Sequence, residues 1–266
     1  QYSMCGDPAD RSCYEIAVLQ EPEGRGGSQL MHRIFEPGRR VFVSKPINHF
    51  ELDPSAKLSL LFGGGIGVTP MLAFAHELHR KGGAFRLMYS ASQKSKAAFD
   101  GAFDGLAWAD RVSRHYSDQG TRLDIARDVP AYDAGTHIYV CGPDAYMSAI
   151  LDHARSIGYP EAALHAEFFT VPELPEWENH PFEIERANGQ KIPVTATQSA
   201  SDALIAAGIP VDVKCADGLC GVCKCTVLSG EVEHRDFVLS AAQRETTVIL
   251  CQSRAAEAGG VLKLDI

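Results

Sequence analysis

Nowhere in these 266 residues does an apolar run approach the roughly 20 residues that span a bilayer, so no transmembrane helix is expected. The first residues also lack the basic-then-apolar layout of a secretory signal, which leaves the cytoplasm as the expected location. Positive charge is short: 25 Lys and Arg stand against 34 Asp and Glu, a formal net charge of −9. That deficit argues against a nucleic-acid surface, which needs clustered basic side chains. It is compatible with steering toward a basic protein partner, and solubility accounts for it equally well. Internal repeats and low-complexity tracts are missing. So is an initiator methionine: the chain opens at Gln1-Tyr2-Ser3-Met4, and it is expected to be a fragment.

At 45% hydrophobic residues, the chain has ample material for two domains, or three small ones. The strongest signal is a set of four cysteines. Cys215, Cys220 and Cys223 follow C-x4-C-x2-C, and Cys251 lies further on, the plant-type 2Fe-2S spacing. Gly218 and Gly221 flank Cys220, where a backbone folded around inorganic sulfide needs unusual dihedrals and amide hydrogens aimed at sulfur. Zinc is the rival ligand reading, but structural zinc usually takes two short hooks, and only one C-x2-C is present. Cys225 reads as a small core residue beyond a complete four-thiolate set, and Cys5 and Cys13 as thiols without assigned chemistry. With four of eight cysteines committed in this way, a disulfide framework is not expected.

From Lys57 to Phe169, short apolar runs alternate with helical stretches, the layout of a parallel sheet with crossover helices. Leu58 to Phe62 reads as a first strand, running through Gly63-Gly64-Gly65-Ile66-Gly67-Val68-Thr69-Pro70 into an amphipathic helix. Further strands are expected at Phe85 to Tyr89, Arg111 to His115, His137 to Cys141 and His165 to Phe169, with helices near Ala97 to Phe103 and Ala145 to Ser156. Residues 170–181, rich in proline and charge, read as a linker. Beyond it, Phe182 to Arg186 and Lys191 to Val194 form a hairpin about Asn188-Gly189, followed by a helix near Ala200 to Ala207. At the other end, Tyr14 to Leu19 and Arg39 to Val43 look like strands of a small β domain.

Glycines between a strand and a helix let amides approach a pyrophosphate, so Gly63, Gly64, Gly65 and Gly67 are candidate dinucleotide contacts. Their spacing is not G-x-G-x-x-G, and the same turn can serve only to pack helix on sheet. Val140-Cys141-Gly142-Pro143 ends a later strand of the same sheet, on the side where open α/β sheets collect ligands.

Taken together, the glycine turn, Cys141-Gly142-Pro143 and the cluster loop resemble the phthalate dioxygenase reductase family of the ferredoxin-NADP reductase superfamily. The resemblance extends to the start, where Gln1-Tyr2-Ser3 is similar to the last three positions of an R-x-Y-S flavin motif. It also covers Arg25-Gly26-Gly27-Ser28, similar to the flavin-phosphate segment, Pro46-Ile47-Asn48-His49-Phe50, similar to P-x-N-x-F, and Glu167-Phe168-Phe169. Ile47 departs from the arginine that many relatives carry there. The resemblance implies a multi-domain chain: residues 1–56 a remnant of an FMN-binding β-barrel, 57–169 an α/β parallel-sheet NAD(P)H-binding domain, and 182–266 an α+β, ferredoxin-like (β-grasp) domain.

By the same resemblance, Tyr2 covers the flavin ring, Ser3 hydrogen-bonds its reactive nitrogen, and Arg25, Gly26, Gly27 and Ser28 hold the phosphate; as isolated residues, each is equally an ordinary strand or turn position. Thr69, Cys141 and Phe169 would line the nicotinamide pocket beside Gly64, Gly65, Gly67, Gly142 and Pro143. The implied activity is a reductase passing electrons from NAD(P)H through FMN to the cluster, and on to the Rieske component of an oxygenase or O-demethylase in aromatic catabolism. NADH is expected over NADPH, because Tyr89-Ser90-Ala91-Ser92-Gln93 offers no arginine for a 2′-phosphate, although Lys94 and Lys96 are near. A flavin-less electron-transfer or interaction module is the alternative from a different class, and a zinc-stabilised binding protein a third.

Overall fold

A strand with no polar alternation must be covered on both faces. Leu58–Gly64 (β1) meets that condition, with every residue after Leu58 buried. The computed structural model describes residues 1–171 and 177–266, and it falls into two units, Gln1–Glu167 and Phe168–Ile266.

In the first unit, a helix, Gly27–Ile34 (α1), precedes β1. After β1 come Val68–Lys81 (α2), Ala84–Ala91 (β2), Val112–Tyr116 (β3), Ile125–Asp128 (α3), Thr136–Cys141 (β4), Asp144–Ser156 (α4) and Leu164–Glu167 (β5). The strands form one sheet in the order β3-β2-β1-β4-β5, parallel throughout. Because the chain winds outward from β1 in both directions, the carboxyl ends of β1 and β4 flank a topological switch point. α2 buries Val68, Met71, Leu72 and Ala75 in a core with Leu61, Leu87, Phe103 and Trp108. Its end is set by Gly82 at φ +73°, which frees the Gly83 amide to bond the Leu78 carbonyl at 2.8 Å.

Two expectations are corrected here. Residues 14–19 and 39–43 form no named strand, and before β1 the described residues hold α1 and one isolated bridge, Met4 with Ile16. A strand needs a neighbour to bond its amides and cover its apolar face; Tyr14, Phe42 and Val43 instead stand exposed, Phe42 fully so. The barrel sheet expected for residues 1–56 is therefore not formed among them. Nor is Ala97 to Phe103 an α-helix: short 3-10 turns at Lys94–Lys96 and Phe103–Gly105 flank it. Gly101 weakens a helix there, while Asp100 is held by Tyr116 and Arg114, which fixes the segment by side-chain bonds instead.

The second unit begins with Phe182–Arg186 (β6) and Lys191–Val194 (β7), paired antiparallel about Asn188-Gly189, with Gly189 at φ +84°. Then follow Ala200–Ala206 (α5), Lys224–Ser229 (β8), Val232–Glu233 (β9), Ala241–Arg244 (α6), Thr247–Ile249 (β10), Arg254–Ala255 (β11) and Val261–Leu264 (β12). Five strands make a mixed sheet, β10-β8-β12-β6-β7, in which β12 and β6 run parallel. A reciprocal capping box between Ser199 and Asp202 starts α5, which buries Ala203 and Leu204 against Ile184, Val194, Val248 and Leu262. Residues 172–176 of the expected linker lie outside the described residues. Among the described residues no helix is long and apolar enough to cross a membrane.

One packed cluster in the first unit is pH-sensitive. Phe50 lies on Phe74 and Tyr139, Asp53 donates its amide to the Tyr139 hydroxyl at 2.8 Å, and His165 stacks on both Tyr139 and His137. Burial pushes the His165 imidazole down to about 4; neighbouring His137 acts the same way and Asp53 opposes. Below the unfolded value of 6.5 the unfolded chain binds a proton that the folded chain refuses, so stability falls as pH drops from 6.5 to about 4. We expect a loss on the order of 2 kcal/mol across that window. Urea midpoints measured through the window check it, and His165→Phe should flatten the dependence.

Candidate functional site

β8 and β10 are neighbours, with Ile249 opposite Lys224, and this register carries Cys251 to the loop that holds the other three thiols. The Leu250 amide donates to the Cys223 carbonyl at 3.2 Å, closing the junction. Cys220, Cys223 and Cys251 are buried and Cys215 half-buried. The loop folds back on itself through positive φ at Ala216, Gly218 and Gly221, of 59°, 73° and 63°. Ala216 is the one residue other than glycine in that region among the described residues, and Gln252 donates to its carbonyl at 2.6 Å, holding it there.

The thiols form two pairs. The Cys215 thiol interacts with that of Cys220, and Cys223 with Cys251. Burial acts to raise the Cys215 thiol, but the Asp217 amide, 3.3 Å from its sulfur, the Cys220 thiol and further amides hold it below the usual value. The Cys251 thiol brings Cys223 down to about 6, against its burial, and Cys251 is pushed up by the same contact. Two thiol pairs with amides aimed at sulfur suit a two-iron cluster, in which each iron takes two thiolates. Tetrahedral zinc needs four ligands about one point. Cys225 donates instead toward the carbonyls of Thr226 and Asp265, at 3.6 and 3.9 Å, and burial raises its thiol.

In the first unit, the end of β1 meets the end of β4 backbone to backbone. A Cβ on Gly67 would sit 2.4 Å from the Cys141 carbonyl oxygen, and one on Gly63 would sit 2.7 Å from Val68 Cα. Gly64 faces Pro143 and Tyr146, and Gly142 faces Gly64, so four of these glycines pack the turn against the strand end. Gly65 differs: at φ +57° it has open space around it, leaving its backbone accessible to a ligand. Thr69 is buried, its hydroxyl donating to the Ile66 carbonyl at 3.0 Å. Cys141 is also buried; desolvation, with Glu167 adding its charge, keeps its thiol protonated. Phe169 belongs to the second unit and is exposed.

Glu167 was quoted in the sequence only as part of a domain end. In the structure it is opposite Cys141 in the β4–β5 register, and it accepts a 2.8 Å hydrogen bond from Ser3 Oγ across 164 positions. Burial raises its carboxyl and the Ser3 bond opposes this. The sequence did not point to Tyr146 and Ser90, whose buried hydroxyls face each other near the end of β1, with no other hydrogen-bond partner among the described residues. No local motif announces them. Tyr2 is half-exposed, and Gly26 and Gly27 begin α1 with open space at both glycines. Ser28 accepts the Glu21 amide at 3.0 Å.

An open parallel sheet with a glycine turn at its switch point, joined in one chain to a mixed sheet whose loop carries two pairs of thiols, defines an iron-sulfur electron-transfer oxidoreductase of modular build. The model of a 2Fe-2S iron-sulfur cluster binding domain matches residues 183–256. The chain is 40% identical over 270 residues to the vanillate O-demethylase oxidoreductase of Pseudomonas sp. (strain HR199 / DSM 7063), covering 99% of this chain and 85% of that protein. It is 35% identical to the phthalate dioxygenase reductase of Burkholderia cepacia, over 99% of this chain and 82% of that one. A solved structure of phthalate dioxygenase reductase, described as modular for electron transfer from pyridine nucleotides to [2Fe-2S], superposes with a TM-score of 0.66 at 34% identity, covering all of this chain and 83% of that one. The chain belongs to the phthalate dioxygenase reductase family. It is an oxidoreductase, the reductase component of an oxygenase system.

The packing and ligand-facing glycines separate by substitution. Gly67→Ala should destabilise the first unit by about 3 kcal/mol or more, since backbone would have to move. Gly65→Ala has room and carries only the left-handed strain, about 1 kcal/mol. Thermal melts of the two variants check the order.

Proposed function

We propose that Cys215, Cys220, Cys223 and Cys251 ligate a 2Fe-2S cluster that receives electrons from NADH through FMN. The two thiol pairs, each with backbone amides against its sulfurs, support the reading. Nicotinamide delivers two electrons together and the cluster accepts one, and bound flavin supplies the conversion between them. The chain's own residues hold and orient these groups. Gly64, Gly65 and Gly67, with Cys141, Gly142 and Pro143, border the switch point where a dinucleotide would lie, and Gly65 leaves backbone open there. Thr69 fixes the turn through Ile66. Ser3 and Glu167 form a polar pair beside Cys141, suited to hold a proton beside a reacting ring. Tyr2, Arg25, Gly26, Gly27 and Ser28 would hold the FMN, the last four at the amino end of α1.

The acceptor we propose is the Rieske component of an aromatic oxygenase or O-demethylase, the chemistry named in relatives such as the vanillate O-demethylase oxidoreductase. We divide the chain into a flavin-binding remnant at residues 1–56, a nucleotide domain at 57–169, a linker at 170–181 and a ferredoxin-like domain at 182–266. We place the protein in a reducing compartment, the cytoplasm, where cysteines committed to a cluster stay out of disulfides.

Replacing any one of the four ligands with Ser should abolish the cluster, with iron and sulfide falling to a small fraction of wild type. Cys225→Ser should keep it. Bleaching by Cys225→Ser while Cys223→Ser stays coloured would overturn the ligand set.

NADH should reduce the holoprotein faster than NADPH, and three observations support this. Asp118 accepts the Lys94 amide beyond the ends of β2 and β3, placing a carboxylate where a 2′-phosphate would be repelled. Lys94 Nζ lies over Tyr116 and 3.7 Å from Asp100, so its charge is already committed. No arginine lies in residues 89–93. Stopped-flow reduction with each coenzyme decides it, and a clear NADPH advantage would refute it.

A further inference from the structure

Beside the cluster loop, two buried acceptor atoms face each other. Asp236 has a fully buried side chain, and the His234 ring is 14% exposed. His234 Nε2 lies 3.1 Å from the Arg244 carbonyl oxygen, and because a carbonyl only accepts, this nitrogen carries hydrogen. Nδ1 is left facing Asp236 Oδ1 at 3.4 Å, and neither atom has a hydrogen-bond partner among the described residues. With the imidazole neutral and the carboxylate ionised, two lone pairs oppose each other out of water, which is costly. A single proton on Nδ1 converts the clash into a charge-assisted pair.

The surroundings hold the two side chains in place. Asp236 Oδ2 accepts the amides of Val238 and Leu239, at 3.3 and 2.9 Å. From α6, Arg244 donates to the Asp236 carbonyl at 2.7 Å and lies 3.7 Å from Oδ2. Arg235 is committed to Glu233, Asn179 and the Glu178 carbonyl, and Arg254 to the carbonyls of His180, Thr195 and Gln198. Asp217 sits in the cluster loop itself, its amide on Cys215.

The pair touches that loop directly. The Phe237 amide donates to the Gly218 carbonyl at 3.1 Å, and a Cβ on Gly218 would meet Asp236 Cα at 3.2 Å. Gly218 lies between Cys215 and Cys220. Asp236 therefore packs against the cluster loop, and charge arriving in that loop acts on the buried pair across packed protein, where a low dielectric weakens it less than water would.

We propose that His234 and Asp236 are positioning residues that couple reduction of the cluster to uptake of a proton. One electron enters the cluster, which is reduced while its donor is oxidised; one proton moves from solvent to His234 Nδ1 and pairs with Asp236 Oδ1, and no covalent bond in the chain breaks. Added negative charge at the cluster favours the protonated imidazole, and by linkage the proton favours the reduced cluster. The inference rests on the reading that the four cysteines hold a 2Fe-2S centre.

The test is the midpoint potential of the cluster in the holoprotein, followed by EPR between about pH 6 and pH 9, where histidine ordinarily titrates into its neutral form. Wild type should show a threefold to tenfold change in the reduction constant per pH unit, about 28 to 59 mV for one electron. His234→Gln keeps an amide donor for the Arg244 carbonyl but binds no proton, and its potential should be flat with pH while its EPR signal is unchanged. Asp236→Asn should reduce the slope; if that variant fails to hold the cluster, His234→Gln alone decides. A full cluster with a flat wild-type potential, or a slope retained in His234→Gln, overturns the proposal alone. Iron and sulfide analysis made beforehand separates the failures, since a wild-type chain that binds neither sinks the cluster reading and this inference with it.

Discussion

Negative charge held against backbone amides is the constraint that shapes both units. Thiolate sulfur buried in a protein needs donors aimed at it, and amide hydrogens serve only where the chain can fold tightly enough to expose several at once. Around Cys215 that requirement appears as three residues in the left-handed region within six positions, one of them Ala216, which bears a side chain there. The glycine turn after β1 is built from the same elements: Gly65 in the left-handed region, with open space around it, at the amino end of a long helix.

Each loop needs a rigid support, and the two units supply it differently. In the first, the turn is pressed onto the end of β4 so closely that Gly67 admits no side chain, and the parallel sheet behind it is buried on both faces. In the second, the support is the β8–β10 pairing on one side and the His234–Phe237 segment on the other. Arg235 and Arg254 tie that side to the entering chain through carbonyls and the Trp177 ring. Among the described residues of the second unit, the buried side-chain atoms left without a hydrogen bond are His234 Nδ1, Asp236 Oδ1, Arg244 Nε and Arg254 Nε, and the first two face each other.

Much of the fold was legible because the signals are local. Apolar runs bounded by glycine marked β1 and β4, Asn188-Gly189 marked the β6–β7 turn, and Ser199 with Asp202 opens α5 by bonds within four residues. Where local preference was overruled, a distant partner was responsible. Ala97 to Phe103 has helical composition, yet Asp100 is captured by Tyr116 and Arg114 from β3, and the segment bends to reach them. Arg39 to Val43 has strand composition without a paired neighbour among the described residues, and Tyr14 to Leu19 is paired there only by the isolated Met4–Ile16 bridge; composition alone forms no ladder.

The sequence by itself determined what depends on spacing: which four cysteines follow the plant-type 2Fe-2S pattern, which glycines can turn a strand into a helix, and which strands lie buried on both faces. These follow from bond geometry and side-chain period, so they can be read along the chain. Only the tertiary structure decided which distant groups meet. Ser3 bonds Glu167 across 164 positions, Glu167 stands beside Cys141, and the Arg244 carbonyl selects which nitrogen of His234 faces Asp236. The energy of such a contact depends on burial and on orientation to within a fraction of an ångström, and neither is set until the sheets have packed.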